Sequence, residues 1–285
     1  MKCLRPLLAF TFFSACLVAE AHPGIGILED SKGNIFYTDL KQVWKISKDG
    51  TKKIVVSNVH THELYLDESD NLFGEHLWYN GEQKNTWGYY VWRLSPDGKI
   101  EKVIKDSEGF LTNYSFVRDH HGKMYWADRS QSCQKVARKN SNNSVSPLSD
   151  QCFKNIRWMK STNEGNVYVV DFQDLKKVDQ QGHVMTVARQ IADKKVTEST
   201  IENQNSVGGV WDDNAGNLYA AVISNREVKK FSPDGKEEIV LKTTFPWMPS
   251  GGLFDSKGVL WVLECSVTNA VRVERISVDG TKKVY

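Results

Sequence analysis

Short apolar runs separated by acidic, glycine-bearing turns recur along nearly the whole chain, and one unit is repeated six times. Each copy reads as a short apolar strand, a turn, a second strand rich in aromatic and β-branched residues, a third strand, a second turn and a fourth strand. The first turn and the strand after it run Asp30-Ser31-Lys32-Gly33-Asn34-Ile35-Phe36-Tyr37 in the first copy. In the last copy they run Asp255-Ser256-Lys257-Gly258-Val259-Leu260-Trp261. Asp or Asn with Gly supplies the left-handed backbone of tight hairpins, while short runs of Val, Ile, Tyr and Trp suit strands. The second turn recurs in Lys48-Asp49-Gly50, Pro96-Asp97-Gly98, Gln180-Gln181-Gly182, Pro233-Asp234-Gly235 and Val278-Asp279-Gly280.

Equivalent first-turn positions at 33, 70, 122, 165, 216 and 258 lie 37, 52, 43, 51 and 42 residues apart. That spacing is close to the roughly 40–50 residues of one four-stranded propeller blade. Strands over 34–38 and 166–170 are apolar on both faces, as expected of sheets packed between two neighbours, and only a closed ring gives every sheet two. A sandwich or an open barrel does not predict the same hairpin pair six times. The expected fold is therefore all-β: a six-bladed β-propeller of four-stranded antiparallel blades around a central channel, formed as one domain by residues 22–285.

The start of the chain changes the compartment. Met1-Lys2-Cys3-Leu4-Arg5, an apolar run from Leu7 to Val18 and Ala19-Glu20-Ala21 have the charged, apolar and small-residue order of a secretory signal peptide over residues 1–21. The apolar run is shorter than the roughly 20 residues of a membrane span. Cys16 loosely matches a bacterial lipoprotein box, but Leu17 and Val18 follow it where a polar tether belongs. A secreted or periplasmic product without a transmembrane segment is expected. Loss of Lys2, Arg5 and Glu20 takes the formal net charge from +2 to +1, with Lys and Arg dispersed among acids, which argues against a nucleic-acid partner. Three cysteines remain. Cys133 precedes the third strand of blade three and Cys152 follows its fourth, so both return to one face and a disulfide between them is expected, with Cys265 left as a buried free thiol.

Two stretches, Ser206-Val207-Gly208-Gly209-Val210-Trp211-Asp212 through Tyr219 and Pro249-Ser250-Gly251-Gly252-Leu253-Phe254-Asp255 through Trp261, resemble the NHL repeat and the gluconolactonase/regucalcin-like propellers. The resemblance spans residues 24–285. It implies a fold that serves hydrolases, lyases and non-catalytic binders alike. In the lactonases, acidic and amide side chains at the channel mouth hold a divalent cation that polarises the lactone carbonyl and activates water. This chain departs from that pattern. His22-Pro23-Gly24 stands where those enzymes enter blade one with Glu-Gly-Pro, and Val207 or Ser250 stands where a metal-binding Asp is needed. Asn113, Asn155 and Asn205 remain as amide groups entering later blades, weak holders of a hard cation without an anionic partner.

Because strands alternate in direction, loops entering the first strand and leaving the second share one face, the channel mouth, where ligand sites concentrate. His60, His62, Glu63, Glu75, His76, Asn113, Asn155, Asn205 and Ser250 fall there, with Asp39, Asp128, Asp171 and Glu264 at other second-strand ends. His120, His121 and His183 fall in exposed turns opposite and have no role. His60, His62 and His76 are candidate ligands of one divalent ion, zinc or calcium, with Glu75 as the candidate catalytic carboxylate. Hydrogen-bonded strand-end histidines are the competing reading. Asp39, Asp128 and Asp171 are expected to cap loops. A blade-two insertion from Leu77 to Tyr90 carries Trp78, Tyr79 and Trp87, which could stack on a flat ligand or sugar, or pack on one another. No nucleophile elbow or phosphate-cradling glycine loop occurs. The sequence thus points to a monomeric exported propeller binding a small molecule, glycan or peptide at its mouth. The alternative is a metal-dependent, lactonase-like hydrolase or a lyase using the blade-two histidines.

Overall fold

The computed structural model describes residues 23–111, 114–130, 132–140, 142–162, 164–192 and 206–285. The expected signal peptide, Asn113 and Asn205 lie outside them. Six antiparallel sheets follow one another along the chain, spanning 27–57, 64–108, 125–147, 156–188, 210–242 and 247–284, each made of consecutive strands. This is the six-bladed β-propeller. Five blades have four strands and the third has three, with a single Arg118–Met124 bridge where its innermost strand would run. There the entering segment turns back on itself, as the Ser115 hydroxyl accepts from the Val117 amide and the Ser115 carbonyl from Arg118 Nε.

The first turns are built by local chemistry. Gly33, Gly122, Gly165, Gly216 and Gly258 all have φ between +72° and +79°, and Asp70 takes the same role in blade two at +59°. Asp and Asn tolerate this region better than other side chains, so blade two keeps its turn without glycine. Asp30, Asp67, Asp119, Asp213 and Asp255 each accept from the amides two and four residues ahead, which explains the acid at five of the six turns, and in blade four the Thr162 hydroxyl accepts from the Asn166 amide instead. The second carboxylate oxygen then accepts from Tyr125, Tyr219 or Trp261 in the following strand, tying turn to blade. Blade three makes its second turn with Asn143, φ +62°, where no glycine marks it.

Between neighbouring blades lie apolar cores. Ile35–Thr38 and Leu218–Val222 are buried at every position, as expected of strands covered on both faces. Ile27, Ile35, Tyr37 and Ile46 of blade one pack on Val259, Trp261, Leu263 and Val273 of blade six. That contact closes the ring, since no strand is shared between the two blades. Ser256 adds its amide and hydroxyl to the Glu29 carboxylate at 2.6 and 2.9 Å. Gly251 sits so close to blade one that a Cβ there would lie 2.5 Å from the Ile25 carbonyl oxygen. Ser250, expected to face a ligand, is instead buried in this seam. Its hydroxyl donates to the Gly24 carbonyl at 2.9 Å, because the strand carrying it packs directly on the chain entering blade one.

Cys133 and Cys152 form the expected disulfide, with Cα atoms 5.2 Å apart. Cys265 is the free cysteine among the described residues. It is only partly buried as a residue, and burial pushes its thiol up to about 11. The bridge closes a 19-residue separation. Replacing both cysteines with alanine is therefore expected to cost about 3 kcal/mol, read as a lower urea midpoint. An unchanged midpoint would show that blade three is held without it. No helix among the described residues is long and apolar enough to cross a membrane.

Candidate functional site at the channel mouth

The innermost segments of all six blades surround a central channel of about 620 Å³, lined by apolar positions such as Ile27 and Leu64 together with charged side chains that include Glu63, Arg118, Lys160 and Asp212. The chain entering blade two, His60-Thr61-His62, runs beside the upper half of strand Leu72–Tyr79 and is pinned from both sides. Blade one holds it through the Ile25 and Gly26 amides, which donate to the His62 carbonyl, and the Thr38 hydroxyl, which donates to the Thr61 carbonyl at 2.7 Å. Blade two holds it through Leu77 N–H to the His60 carbonyl and the Thr61 hydroxyl to the Glu75 carbonyl. Trp92 Nε1 donates to that same Glu75 carbonyl at 3.1 Å from beneath.

These contacts bring the blade-two histidines together and also use their nitrogens. His60 and His62 meet edge to face with ring centroids 4.6 Å apart. His76 Nδ1 accepts from the His60 amide at 2.9 Å, while its ring lies between those of Tyr90 and Trp78. His62 Nδ1 lies 3.1 Å from Glu75 Oε1, which also accepts from the His62 amide at 2.6 Å. Among the described residues, no group of three or more His, Cys, Asp or Glu side chains is arranged to hold a metal ion. His60, His62 and His76, expected as ligands for zinc or calcium, are thus brought together without forming such a group: His76 Nδ1 is turned to the His60 amide and His62 Nδ1 to Glu75.

Burial holds the His60 and His76 imidazoles below the usual histidine range; the neighbouring His62 and Lys102, respectively, push them in the same direction. Glu75 is 3 % exposed, and its Oε2 has no protein partner. Glu63 is pushed up to about 7 by burial first and by the Glu75 charge second, with His62 and Arg129 opposing. Arg129 follows strand Tyr125–Asp128 and donates from Nη2 to the Ile156 carbonyl at 2.7 Å, which sets it beside Arg157 at the mouth end of the blade-four inner strand. An acid with a raised folded-state pKa favours folding at low pH and loses that contribution as pH climbs from its unfolded value, near 4.3, towards about 7. Glu63→Gln should therefore stabilise the protein at pH 8 and not at pH 4. Urea unfolding at the two pH values tests this, and an equal effect at both would refute it.

The Leu77–Tyr90 insertion is not a loop but a continuation of the blade. His76 pairs with Tyr90, Trp78 with Gly88 and Tyr79 with Trp87, and the turn closes with Asn80 N–H to the Thr86 carbonyl. Five residues beyond Gly74 carry the ribbon about 17 Å further. Strand alternation splits its aromatics between two faces. His76, Trp78 and Tyr90 share one face, where Trp78 covers Gly88, Trp78 Nε1 donates to Asn80, and Lys102 sits 3.9 Å over the Tyr90 ring. Tyr79 and Trp87 share the other at 5.2 Å, joined by Phe110 at 5.4 Å from Trp87, and all three are partly exposed.

The acidic strand ends do cap loops: Asp39 accepts from the Lys41 and Gln42 amides, Asp128 from Ser130 and Asp171 from Asn155. Asn155 thus sits at the entry to blade four, bound through its backbone. Glu264, fully buried, is paired with Arg272 at 2.6 Å. Arg129 and Arg157 were not singled out from sequence. The only signal was a basic residue at a second-strand end, directly after the acid expected there.

Six sheets around a channel, with an acidic, histidine-rich and arginine-bearing mouth between blades two and four, define a six-bladed β-propeller with a polar mouth site. No family model matches the sequence, and no curated protein matches it. Among solved structures, the chain is similar to a gluconolactonase from Xanthomonas campestris, with TM-score 0.55 and 14 % identity over 85 % of this chain and 84 % of that one. It is also similar to regucalcin, a calcium-binding protein from Agrobacterium tumefaciens, with TM-score 0.54 and 12 % identity over 85 % and 82 %. Virginiamycin B lyase from Staphylococcus aureus gives TM-score 0.51 and 11 % identity over 93 % and 84 %. The expected likeness to gluconolactonase/regucalcin-like propellers thus holds, at the level of the fold.

Proposed function

We propose that this is an exported propeller that binds a small polar molecule at its channel mouth, between blades two and four. The observation carrying this reading is the convergence of His62, Glu75 and channel-lining Glu63 on one side of the mouth, with unsatisfied buried polar capacity at Glu75 Oε2. Native proteins satisfy nearly all such groups, so an orphaned carboxylate oxygen marks a place for a partner. The ribbon rises from the same strand as Glu75, and Tyr79 and Trp87, further along on the face that Glu75 shares, supply exposed apolar area, while Trp78 and Tyr90 lie on the opposite face. The fold is compatible with hydrolases and lyases as well, and Glu63, held near neutral pH, has the proton affinity of a general acid or base. A metal-dependent version has no group of three or more His, Cys, Asp or Glu ligands among the described residues to rest on, so binding is the better-supported activity.

Thermal-shift screening of sugars, amines and organic acids, followed by calorimetry on Glu75→Gln and Trp87→Ala, tests the reading. The expected result is a ligand whose affinity falls at least tenfold in Glu75→Gln. A ligand indifferent to both changes would place binding elsewhere and refute the mouth site.

A further inference from the structure

Building on the mouth site, we infer that its ligand is a small organic acid whose carboxylate is gripped by Arg129 and Arg157 while its body enters the channel beside Glu63. Among the described residues neither arginine forms an ion pair with any carboxylate, although Arg129 stands close enough for its charge to weigh on Arg157 and for the Glu63 charge to weigh on Arg129 in turn. Arg157 Nε is buried without a partner, and Arg129 is tethered through Nη2 to the Ile156 backbone carbonyl. Guanidinium groups are suited to carboxylates because their N–H donors form a planar fork that matches both oxygens. Two such forks held together and half-desolvated, with Glu63 the one carboxylate that weighs on Arg129 and no ion pair formed among the described residues, are an anion site in waiting. The channel below mixes apolar positions such as Leu64 and Phe116 with charged Arg118, Lys160 and Asp212, and its space of about 620 Å³ takes a molecule the size of an aromatic acid.

Glu63 gives the site a pH dependence. It faces Glu75 from the second strand of its own blade, Arg129 from blade three and His62 from its own segment. Ionised, it would repel a bound carboxylate and compete for Arg129; neutral, it would donate a hydrogen bond to it. Because its proton is held up to about 7, binding should tighten as pH falls from 8 to 6.

Titration calorimetry with benzoate and with benzamide, which match in shape and differ in charge, tests the assignment. Benzoate is expected to bind at least tenfold more tightly than benzamide, to lose at least tenfold in Arg129→Met and in Arg157→Met, and to bind tighter at pH 6 than at pH 8. Glu63→Gln should flatten the pH dependence while circular dichroism shows the fold intact. Equal binding of the two probes, or benzoate binding indifferent to both arginine changes, would overturn the carboxylate assignment. If benzamide binds and Glu75→Gln abolishes it, the mouth site stands and only the anion is wrong. If neither probe binds, the organic-acid assignment falls, and the sugar and amine arms of the thermal-shift screen decide the mouth site.

Discussion

Trp92→Ala is expected to lower the unfolding free energy by about 3–5 kcal/mol, the range for emptying an aromatic site in a packed core, and to abolish mouth binding with it. Trp92 is 1 % exposed and fills the space over Gly74, its cross-strand partner, where even a Cβ would lie 2.3 Å from the indole. It packs with Val43, Val56 and Leu64 between blades one and two. Its Nε1 reaches up to the Glu75 carbonyl and the Thr61 hydroxyl, the two groups that align His60-Thr61-His62 with the ribbon. Packing and site geometry therefore share one side chain. Trp92→Phe separates them. It keeps most of the apolar volume and loses the donor, so a stability loss of about 1–2 kcal/mol is expected with a larger loss in ligand affinity. Chemical denaturation of both variants provides the check, and a Trp92→Ala loss under 1 kcal/mol would refute this account.

Arg272→Met is the second large effect, expected to cost about 3–5 kcal/mol because it leaves a buried carboxylate without its counter-charge. Glu264 is fully buried, receives Arg272 Nε at 2.6 Å, and has no partner for its other oxygen. Arg272 is itself laid over Trp247, with its guanidinium carbon 4.2 Å from the ring centre. Burial raises the Glu264 pKa and Arg272 opposes the rise. Removing the arginine raises it further. The folded variant then holds a proton that the unfolded chain releases near pH 4.3, so its deficit should be smaller at pH 5 than at pH 8. Glu264→Leu combined with Arg272→Met should recover most of the loss, since a well-packed apolar pair can replace a buried ion pair. Urea unfolding at both pH values measures all three. A deficit independent of pH, or a double variant as weak as the single, would mean the arginine acts through its stacking on Trp247 instead.

How far the site was legible follows from how far apart its parts are in the chain. Glu75, His62 and His76 were visible as a cluster because a single hairpin and its entering segment bring them together across 13–16 residues. Trp78 and Trp87 were visible as an aromatic excess, but their separation onto opposite ribbon faces follows from a register that composition does not reveal. The pairing of Arg129 with Arg157 required blades three and four to be set side by side. Ser250 misled because its place at a blade entry is the same whether that entry faces solvent or the ring seam. Only the position of Gly24, 226 residues earlier, decides it.

By itself, the sequence determined the number of blades, their turns and the disulfide. Those features rest on bonds between residues two to four apart, such as Asp30 to Asn34 or Asp255 to Val259, and on strand directions that alternate without exception. Left-handed turn residues and capping carboxylates act within one turn, so their signal survives in a short window of sequence. Tertiary structure decided everything that depends on choosing one partner among several of the same chemistry. It turned one His76 nitrogen to an amide and one His62 nitrogen to a carboxylate, made an expected ligand group into a ring-closing bond, and set two arginines together with no ion pair to a carboxylate among the described residues. A polar side chain takes the partner that lies at about 3 Å once the blades have packed, and that distance is set by the closed ring as a whole.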